Sequence, residues 1–143
     1  GQLVLLPVGC GSWASHLLLK AEELVVLPEA DHLQLAMLAV NPVSAALLLD
    51  QGPALQAGDW LIQNAANSAI GNCIIQLAKA RGLQTINLVR RESALAETRA
   101  AGAEHVLVEG DNLSERVHAI TAGAPLRFAL DALAGAASPH ENA

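Results

Sequence analysis

The second half of the chain alternates between short apolar runs and longer segments whose apolar residues recur at helical spacing. Four runs have the length and composition of buried strands: Trp60–Gln63, Thr85–Val89, His105–Val108 and Leu126–Leu130. Three intervening segments have the spacing of amphipathic helices: Ile70–Arg81, Ser93–Ala101 and Asn112–Ala122. Gly82 and Gly102 follow two of these helices, where glycine commonly ends a helix. The alternation predicts an α/β fold, a doubly wound parallel sheet covered by helices on both faces.

The chain before Gly58 follows a different pattern. Three strand-like stretches, LVLLPV, WASHLLLK and ELVVLP, lie within residues 3–28. Trp13 opens the second stretch and Trp60 opens the first run of the later half, so both are predicted to be packing residues. Residues 1–30 are therefore predicted to be the terminal strands of a β domain.

The middle of the chain is predicted to be helical. From Asp31 the apolar residues take helical spacing, and Asn41 followed by Pro42 predicts the cap and the first turn of a second helix. Residues 51–59 are polar and contain glycine and proline, which is typical of a linker. We therefore assign residues 31–143 to a second domain that contains the parallel sheet.

Composition and charge narrow the classes of protein. The apolar fraction is 52% and the mean hydropathy is +0.36, but polar residues and proline interrupt the most apolar window, residues 33–49. A membrane-spanning helix requires about 20 consecutive apolar residues, and no basic segment of a signal peptide precedes the apolar start of the chain. The net charge is -6 and the longest basic run is Arg90–Arg91, which disfavours a nucleic-acid partner.

The cysteines and histidines indicate neither a metal centre nor a disulfide framework. Cys10 and Cys73 are far apart, and the five histidines, His16, His32, His105, His118 and His140, have no metal-ligand spacing. We therefore predict no metal site and a reducing compartment, the cytoplasm or alternatively the mitochondrial matrix. Cys73 is predicted to be a small packing residue, although a helix N-terminus could also lower the pKa of its thiol.

The turn between the first strand and helix of the later half is a candidate phosphate-binding site. In a dinucleotide-binding, Rossmann-type fold this turn delivers a pyrophosphate to the N-terminus of the helix. The pattern G-x-G-x-x-G corresponds here to residues 66–71, of which only Gly71 is glycine. The other residues are small or polar except Ile70, and Asn67 and Ser68 offer side-chain donors. The alternative is an ordinary strand-to-helix turn with Asn67 or Ser68 as the N-cap.

Two arginines end the second strand of this unit. Arg90 and Arg91 follow Gly71 by about 20 residues, the distance at which nicotinamide enzymes bind the ribose. Arginine there favours the 2′-phosphate of NADPH over the 2′-hydroxyl of NADH. Glu92 follows and could orient one arginine, whereas the alternative is that both arginines are simply solvated. Asp131 ends the fourth strand, where it could face a bound nicotinamide or cap a helix.

The chain resembles the medium-chain dehydrogenase/reductase superfamily, and within it the zinc-independent trans-2-enoyl thioester reductases and quinone oxidoreductases. The matching segments are GCGSWASH at Gly9–His16, VNPVSA at Val40–Ala45, GDWLIQNAANSAIG at Gly58–Gly71, GLQTINLVRR at Gly82–Arg91 and GAEHVL at Gly102–Leu107. The runs QNAANS and TINLVRR are typical of this branch. The resemblance extends to about Ala136.

The resemblance implies an incomplete cofactor domain preceded by the end of a GroES-like catalytic domain. It implies that NADPH contacts nine residues: Asn41, Asn67, Ser68, Ala69, Ile70, Gly71, Arg90, Arg91 and Glu92. Ala69 and Asn72 depart from the glycine and glutamine that the resemblance leads us to expect, and alanine disfavours a positive φ. The implied catalytic tyrosine would lie before Gly1, because this sequence contains no tyrosine.

The activity that the resemblance implies is NADPH-dependent reduction of an activated carbon-carbon double bond, as in an enoyl thioester, by hydride transfer. Quinone reduction by NADPH is the alternative within the same fold. A non-catalytic nucleotide-binding fragment is the alternative from another class. The expected partner is a small-molecule substrate, and an open sheet edge in the cofactor domain is compatible with a homodimer.

Overall fold

The computed structural model describes residues 1–133, which fall into two compact units. The first unit is Gly1–Val43, and the second begins at Ser44. Residues 134–143, which belong to the predicted cofactor domain and include His140, lie outside the described residues.

The first unit contains one short antiparallel pair, β1 (Val4–Leu5) with β2 (Val25–Val26), and the helix α1 (His32–Ala36). The prediction of a strand in WASHLLLK is wrong, because this stretch forms bends and loop without pairing. Trp13 is also not a packing residue, since its side chain is fully exposed. A strand pattern gives a strand only where a neighbouring segment accepts its backbone hydrogen bonds.

The helix α2 (Asn41–Gln51) and the loop after it lead into the alternating elements of the second unit. These elements are β3 (Trp60–Gln63), α3 (Ala69–Ala80), β4 (Gln84–Val89), α4 (Leu95–Ala100), β5 (His105–Val108), α5 (Leu113–Thr121) and β6 (Leu126–Leu130). The predicted elements are confirmed, three of the four strands with identical bounds. The second predicted helix segment differs in its first turn, where residues 92–94 form a 3-10 turn before α4.

The four strands form a parallel sheet in the order β5-β4-β3-β6. The chain therefore builds outward from β3 in one direction through β4 and β5, and then returns to the other side of β3 with β6. In sheets of this kind ligands bind at the carboxyl ends of the strands, where the direction of building reverses. The predicted α/β, Rossmann-type fold is confirmed.

Helices cover both faces of the sheet. On one face α2 and α3 pack against β3 through Leu49, Leu61 and Ile74. A separate buried cluster joins α3, α4, β4 and β5. On the opposite face α5 packs Val117 against Ile86 and its neighbours. Trp60 is a partly buried member of this last cluster, so its predicted packing role is confirmed. Within residues 1–133 no helix is both long and apolar enough to cross a membrane.

Candidate functional site

The carboxyl ends of the four strands are tied together along one edge of the sheet. Backbone hydrogen bonds join the turn after β3 to β4, from Ala66 N to the Leu88 carbonyl at 3.0 Å, and join the end of β5 to β4, from Glu109 N to the Val89 carbonyl at 2.9 Å. Asn64 N donates to the Leu130 carbonyl at the end of β6. The loops that follow the four strands therefore lie at the edge where ligands bind in folds of this class.

The turn from β3 into α3 is tight and capped by its own side chain. Ala65 has a φ of 46°, a left-handed conformation that alanine adopts rarely. Ser68 is the N-cap of α3, and its Oγ accepts a hydrogen bond from Gly71 N at 3.0 Å. The prediction of an N-cap at Asn67 or Ser68 is confirmed for Ser68.

Gly71 allows the helix to approach the turn closely. A Cβ atom at this position would lie 2.5 Å from the carbonyl oxygen of Ala66, a distance at which the backbone would have to move. The glycine is needed for packing of the helix against the turn, which is the role of the third glycine in the dinucleotide-binding fingerprint.

Two backbone N–H groups at the start of α3 are available to a ligand. Ser68 Oγ caps the N–H of Gly71 and the Ser68 carbonyl accepts from Asn72 N, which leaves Ala69 and Ile70 without a partner among residues 1–133. Ala69 is exposed and helical, so it does not adopt the positive φ that alanine disfavours. The residue of this turn that does adopt a positive φ is Ala65. Such N–H groups with the dipole of a twelve-residue helix favour an anion.

The two arginines and Glu92 lie in the loop after β4. All three side chains are exposed, and none makes an ion pair or side-chain hydrogen bond with the described residues. Because Ala66 is bonded to Leu88 near the end of β4, this loop and the turn before α3 share one edge of the sheet. Of the predicted cofactor residues, the structure thus gathers residues 67–71 and residues 90–92 along that edge.

Asn41, the ninth predicted cofactor residue, belongs to the first unit. It is the first residue of α2, not a residue before the helix, and its side-chain amide contacts Met37 Sδ at 3.8 Å. Its role towards a cofactor stays a prediction.

A cleft of about 350 Å³ opens at the carboxyl edge of the sheet. Asn64 and Asp131 line it, and Asn64 Nδ2 donates to Asp131 Oδ1 while Asn64 Oδ1 accepts from Ala132 N at 2.8 Å. Asp131 therefore holds the chain after β6 against the end of β3, and its Oδ1 also accepts a hydrogen bond from Leu133 N at 2.9 Å. Its predicted role, towards a nicotinamide or as a helix cap, stays a prediction. A larger apolar cavity of about 740 Å³ lies in the first unit, and none of the nine predicted cofactor residues lines it.

Sequence reasoning missed two buried amides behind the turn, Gln63 and Asn87. Gln63 Nε2 donates to Asn87 Oδ1 at 2.8 Å and to the Gly71 carbonyl at 3.1 Å. The available signal was a polar residue inside each of two buried apolar strands. Their pairing depends on the register between β3 and β4, which the local pattern does not contain.

Cys73 lies in the first two turns of α3 but is not an activated thiol. Burial raises the pKa of its thiol, the direction opposite to the lowering that a helix N-terminus would give. The prediction that Cys73 is a packing residue is confirmed, since it packs against the cluster between α3 and β3. In the part of the chain that the structure describes, no three His, Cys, Asp or Glu side chains are grouped closely enough to hold a metal ion.

Comparison with known proteins gives one family match. Residues 69–140, about half of the chain, match the model of a family described as zinc-binding dehydrogenase. The chain is 41% identical over 106 residues to the mitochondrial enoyl-[acyl-carrier-protein] reductase of Homo sapiens, covering 71% of this chain and 28% of that protein. It is 36% identical over 136 residues to the rat enzyme of the same name, covering 91% and 36%. The chain thus spans about a third of the length of these curated relatives.

A solved structure assigned as an NADPH:quinone reductase from Bacillus thuringiensis has the same fold. The two chains superpose with a TM-score of 0.80 at 29% sequence identity, and the match covers 95% of this chain and 42% of that one. The sheet and its helices are therefore shared with an experimentally determined oxidoreductase structure.

Proposed function

The chain belongs to the zinc-binding dehydrogenase family of the medium-chain dehydrogenase/reductase superfamily, and from this membership we propose that it supplies the NADPH-binding domain of a reductase. The reaction is reduction of an activated carbon-carbon double bond in an enoyl thioester. The names of the human and rat relatives support this substrate class. The whole reductase is longer than this chain if it resembles those relatives in length.

One observation of the structure carries the proposal. The uncapped N–H groups of Ala69 and Ile70 and the exposed side chains of Arg90 and Arg91 lie along the same edge of the sheet. The two N–H groups can donate hydrogen bonds to a pyrophosphate, and the two guanidinium groups can bind a 2′-phosphate. These are the two anionic groups of NADPH. The donors present therefore fit this cofactor.

The residues of this chain bind and orient NADPH, and the cofactor, when bound, supplies the hydride. The dipole of α3 offsets part of the pyrophosphate charge, and guanidinium groups form charge-assisted hydrogen bonds with a 2′-phosphate. Asn64 and Asp131 line the adjacent cleft and hold its wall in place. We assign no residue of this chain to proton transfer, in keeping with the absence of tyrosine from the sequence.

Quinone reduction is the second candidate, favoured by the likeness to the Bacillus thuringiensis structure. The full-length protein, supplied with NADPH, should be assayed in parallel with crotonyl thioesters and with a series of quinones. We expect the ratio kcat/KM to be higher for the thioesters. Turnover of quinones alone would reject the thioester assignment and keep the reductase.

Binding of NADPH by the chain itself separates a cofactor domain from a purely structural fragment. Isothermal titration calorimetry of the 143-residue chain with NADPH should give a saturable heat, and NADH should bind more weakly. If neither nucleotide binds to a chain that is folded by circular dichroism, the chain is a structural fragment and the cofactor assignment is wrong.

The location and the assembly of the protein follow the same proposal. The mitochondrial names of the human and rat relatives favour the mitochondrial matrix over the cytoplasm. Among residues 1–133, β6 is an edge strand of the sheet and exposes Leu126, which is compatible with continuation of the sheet or with a homodimer. Fractionation of cells that express the tagged full-length protein, followed by sedimentation, tests both.

A further inference from the structure

Two buried amide side chains lie side by side in the sheet beneath the turn that begins α3. Gln63 is the last residue of β3, and Asn87 is its partner in the parallel register with β4. The two residues are only 2% and 0% exposed. Amides removed from water to this extent need hydrogen bonds inside the protein to offset the lost hydration.

The hydrogen bonds of these two amides form a continuous network from β5 to α3. Asn87 Nδ2 donates to the His105 carbonyl at 3.1 Å and to Thr85 Oγ1 at 2.9 Å. Gln63 Nε2 donates to Asn87 Oδ1 at 2.8 Å and to the Gly71 carbonyl at 3.1 Å. Since a backbone carbonyl only accepts, the two carbonyls determine which way each amide faces. This network links β5, β4 and β3 to the first turn of α3.

The N–H, the Cα and the carbonyl of Gly71 each make a contact with another residue. Its N–H is bonded to Ser68 Oγ, and its Cα lies so close to Ala66 that a side chain would collide. Both of these contacts are local to the turn. In the described part of the chain, the bond from Gln63 to the Gly71 carbonyl is a hydrogen bond that connects the first turn of α3 to a side chain of the sheet.

We propose that Gln63, oriented by Asn87, is a positioning residue that fixes the start of α3 relative to the end of β4. This inference rests on the proposed NADPH site. Gln63 touches neither phosphate group in it. It sets where the N–H groups of Ala69 and Ile70 lie relative to Arg90, and so matches the spacing of two anion sites to one ligand. Rigid support of this kind lets a site bind without the cost of ordering the turn.

The test uses two fragments of the cofactor that report the two sites separately. ADP-ribose carries the pyrophosphate without the 2′-phosphate, and 2′-AMP carries the 2′-phosphate without the pyrophosphate. In the variant Gln63→Leu we expect affinity for ADP-ribose to fall about tenfold, the equivalent of one hydrogen bond near the site. Affinity for 2′-AMP should stay within about twofold of the unmodified chain. NMR titration measures both.

Two further variants separate positioning from stability. Thr98→Val removes a buried hydroxyl whose bond to the Ala94 carbonyl lies away from the turn, so it should lower the melting temperature and leave both affinities unchanged. Gln63→Leu combined with Asn87→Leu avoids an unpaired buried amide oxygen and should recover part of the stability of the single variant. It should not recover affinity for ADP-ribose.

The outcomes distinguish failure of the positioning role of Gln63 from failure of the proposed NADPH binding. Unchanged affinity for ADP-ribose in a folded Gln63→Leu variant overturns the positioning role and leaves the NADPH site intact. Equal losses for ADP-ribose and 2′-AMP also overturn it, because they indicate general loss of structure. If the unmodified chain binds neither fragment nor NADPH, the proposed function itself is wrong, and the inference is rejected with it.

Discussion

At the scale of single residues, the proposed preference for NADPH depends on Arg90 and Arg91. Both are exposed and make no ion pair among residues 1–133, so their guanidinium groups are available to a phosphate. We expect Arg90→Ala to lower NADPH affinity about tenfold and to leave NADH affinity nearly unchanged, as a charge-assisted hydrogen bond contributes about 1.5 to 3 kcal/mol. Calorimetric titration of each nucleotide measures the ratio.

The matched control for this change is Arg127→Ala. Arg127 is also exposed and without an ion pair among the described residues, but it lies in the first half of β6, away from the carboxyl edge of the sheet. Its replacement removes the same net charge from the protein. Equal effects of the two variants would mean that net charge alone sets the preference, and Arg90 would leave the site.

Ala65 is a strained residue in the turn before α3. Its φ of 46° costs an alanine about 1 kcal/mol or more, whereas glycine adopts it freely. We expect Ala65→Gly to leave the free energy of unfolding unchanged or to raise it by up to about 1 kcal/mol. Ala119→Gly, at an exposed position within α5, should lower it by about 1 kcal/mol. Urea denaturation compares them, and equal losses would show that Ala65 carries no strain.

At the scale of elements, Ser68 has two roles at the start of α3 that one substitution can separate. Its Oγ caps the helix through Gly71 N, and it stands next to the N–H groups proposed to bind a pyrophosphate. Ser68→Asp should keep the cap and hence the stability, while the added negative charge lowers NADPH affinity about tenfold. Ser68→Ala should cost about 1 kcal/mol of stability. Unchanged affinity in Ser68→Asp would place the pyrophosphate elsewhere.

Cys73 makes the stability of α3 sensitive to alkaline pH. Burial raises the pKa of its thiol in the folded protein, so above about pH 8.5 the unfolded chain binds fewer protons than the folded one. The free energy of unfolding should therefore fall as pH rises from about 8 to 10. Cys73→Ala removes this contribution and should show a shallower fall in urea denaturation. An identical fall in both proteins would assign the pH dependence to other groups.

The elements that sequence predicted well are the short apolar runs of the parallel sheet. The bounds of β3, β5 and β6 match the prediction, although β6 is more exposed than β3. WASHLLLK failed because an apolar pattern does not state whether a partner strand is present. Gln63 and Asn87 were missed for a related reason, since their contact exists only once the register of β3 and β4 is set.

The candidate site was predictable where it depends on residue type at a fixed distance along the chain. Gly71 and the arginine pair follow the spacing of a dinucleotide-binding fold, and the structure gathers both at one edge of the sheet. The residue that takes the positive φ was not predictable. Positions 65 and 69 are both alanine, so residue type does not distinguish them. The left-handed conformation of Ala65 becomes evident only from the path of the backbone.

At the scale of the whole molecule, a chain of net charge -6 is proposed to bind a nucleotide that is itself an anion. Long-range repulsion opposes binding of both nucleotides, more strongly for NADPH because of its additional 2′-phosphate, and salt weakens this repulsion. The arginine pair acts on the 2′-phosphate within a few ångströms, well inside the screening length of about 10 Å at 0.1 M salt, and only NADPH carries that group. The ratio of the two affinities therefore reports the balance between the local attraction of the 2′-phosphate to the arginines and its long-range repulsion by the net charge of the chain.

We expect the NADPH-to-NADH affinity ratio to fall about threefold between 0.05 and 0.5 M salt, because exposed charge-assisted contacts are screened. Fluorescence titration of both nucleotides across this range measures the slope. In a double variant, Arg90→Ala with Arg91→Ala, the ratio should drop to one or below and should no longer fall as salt rises. A ratio that still falls with salt without the two arginines would mean that other cations bind the 2′-phosphate. A ratio that is constant in the unmodified chain would mean that contacts other than charge provide the preference.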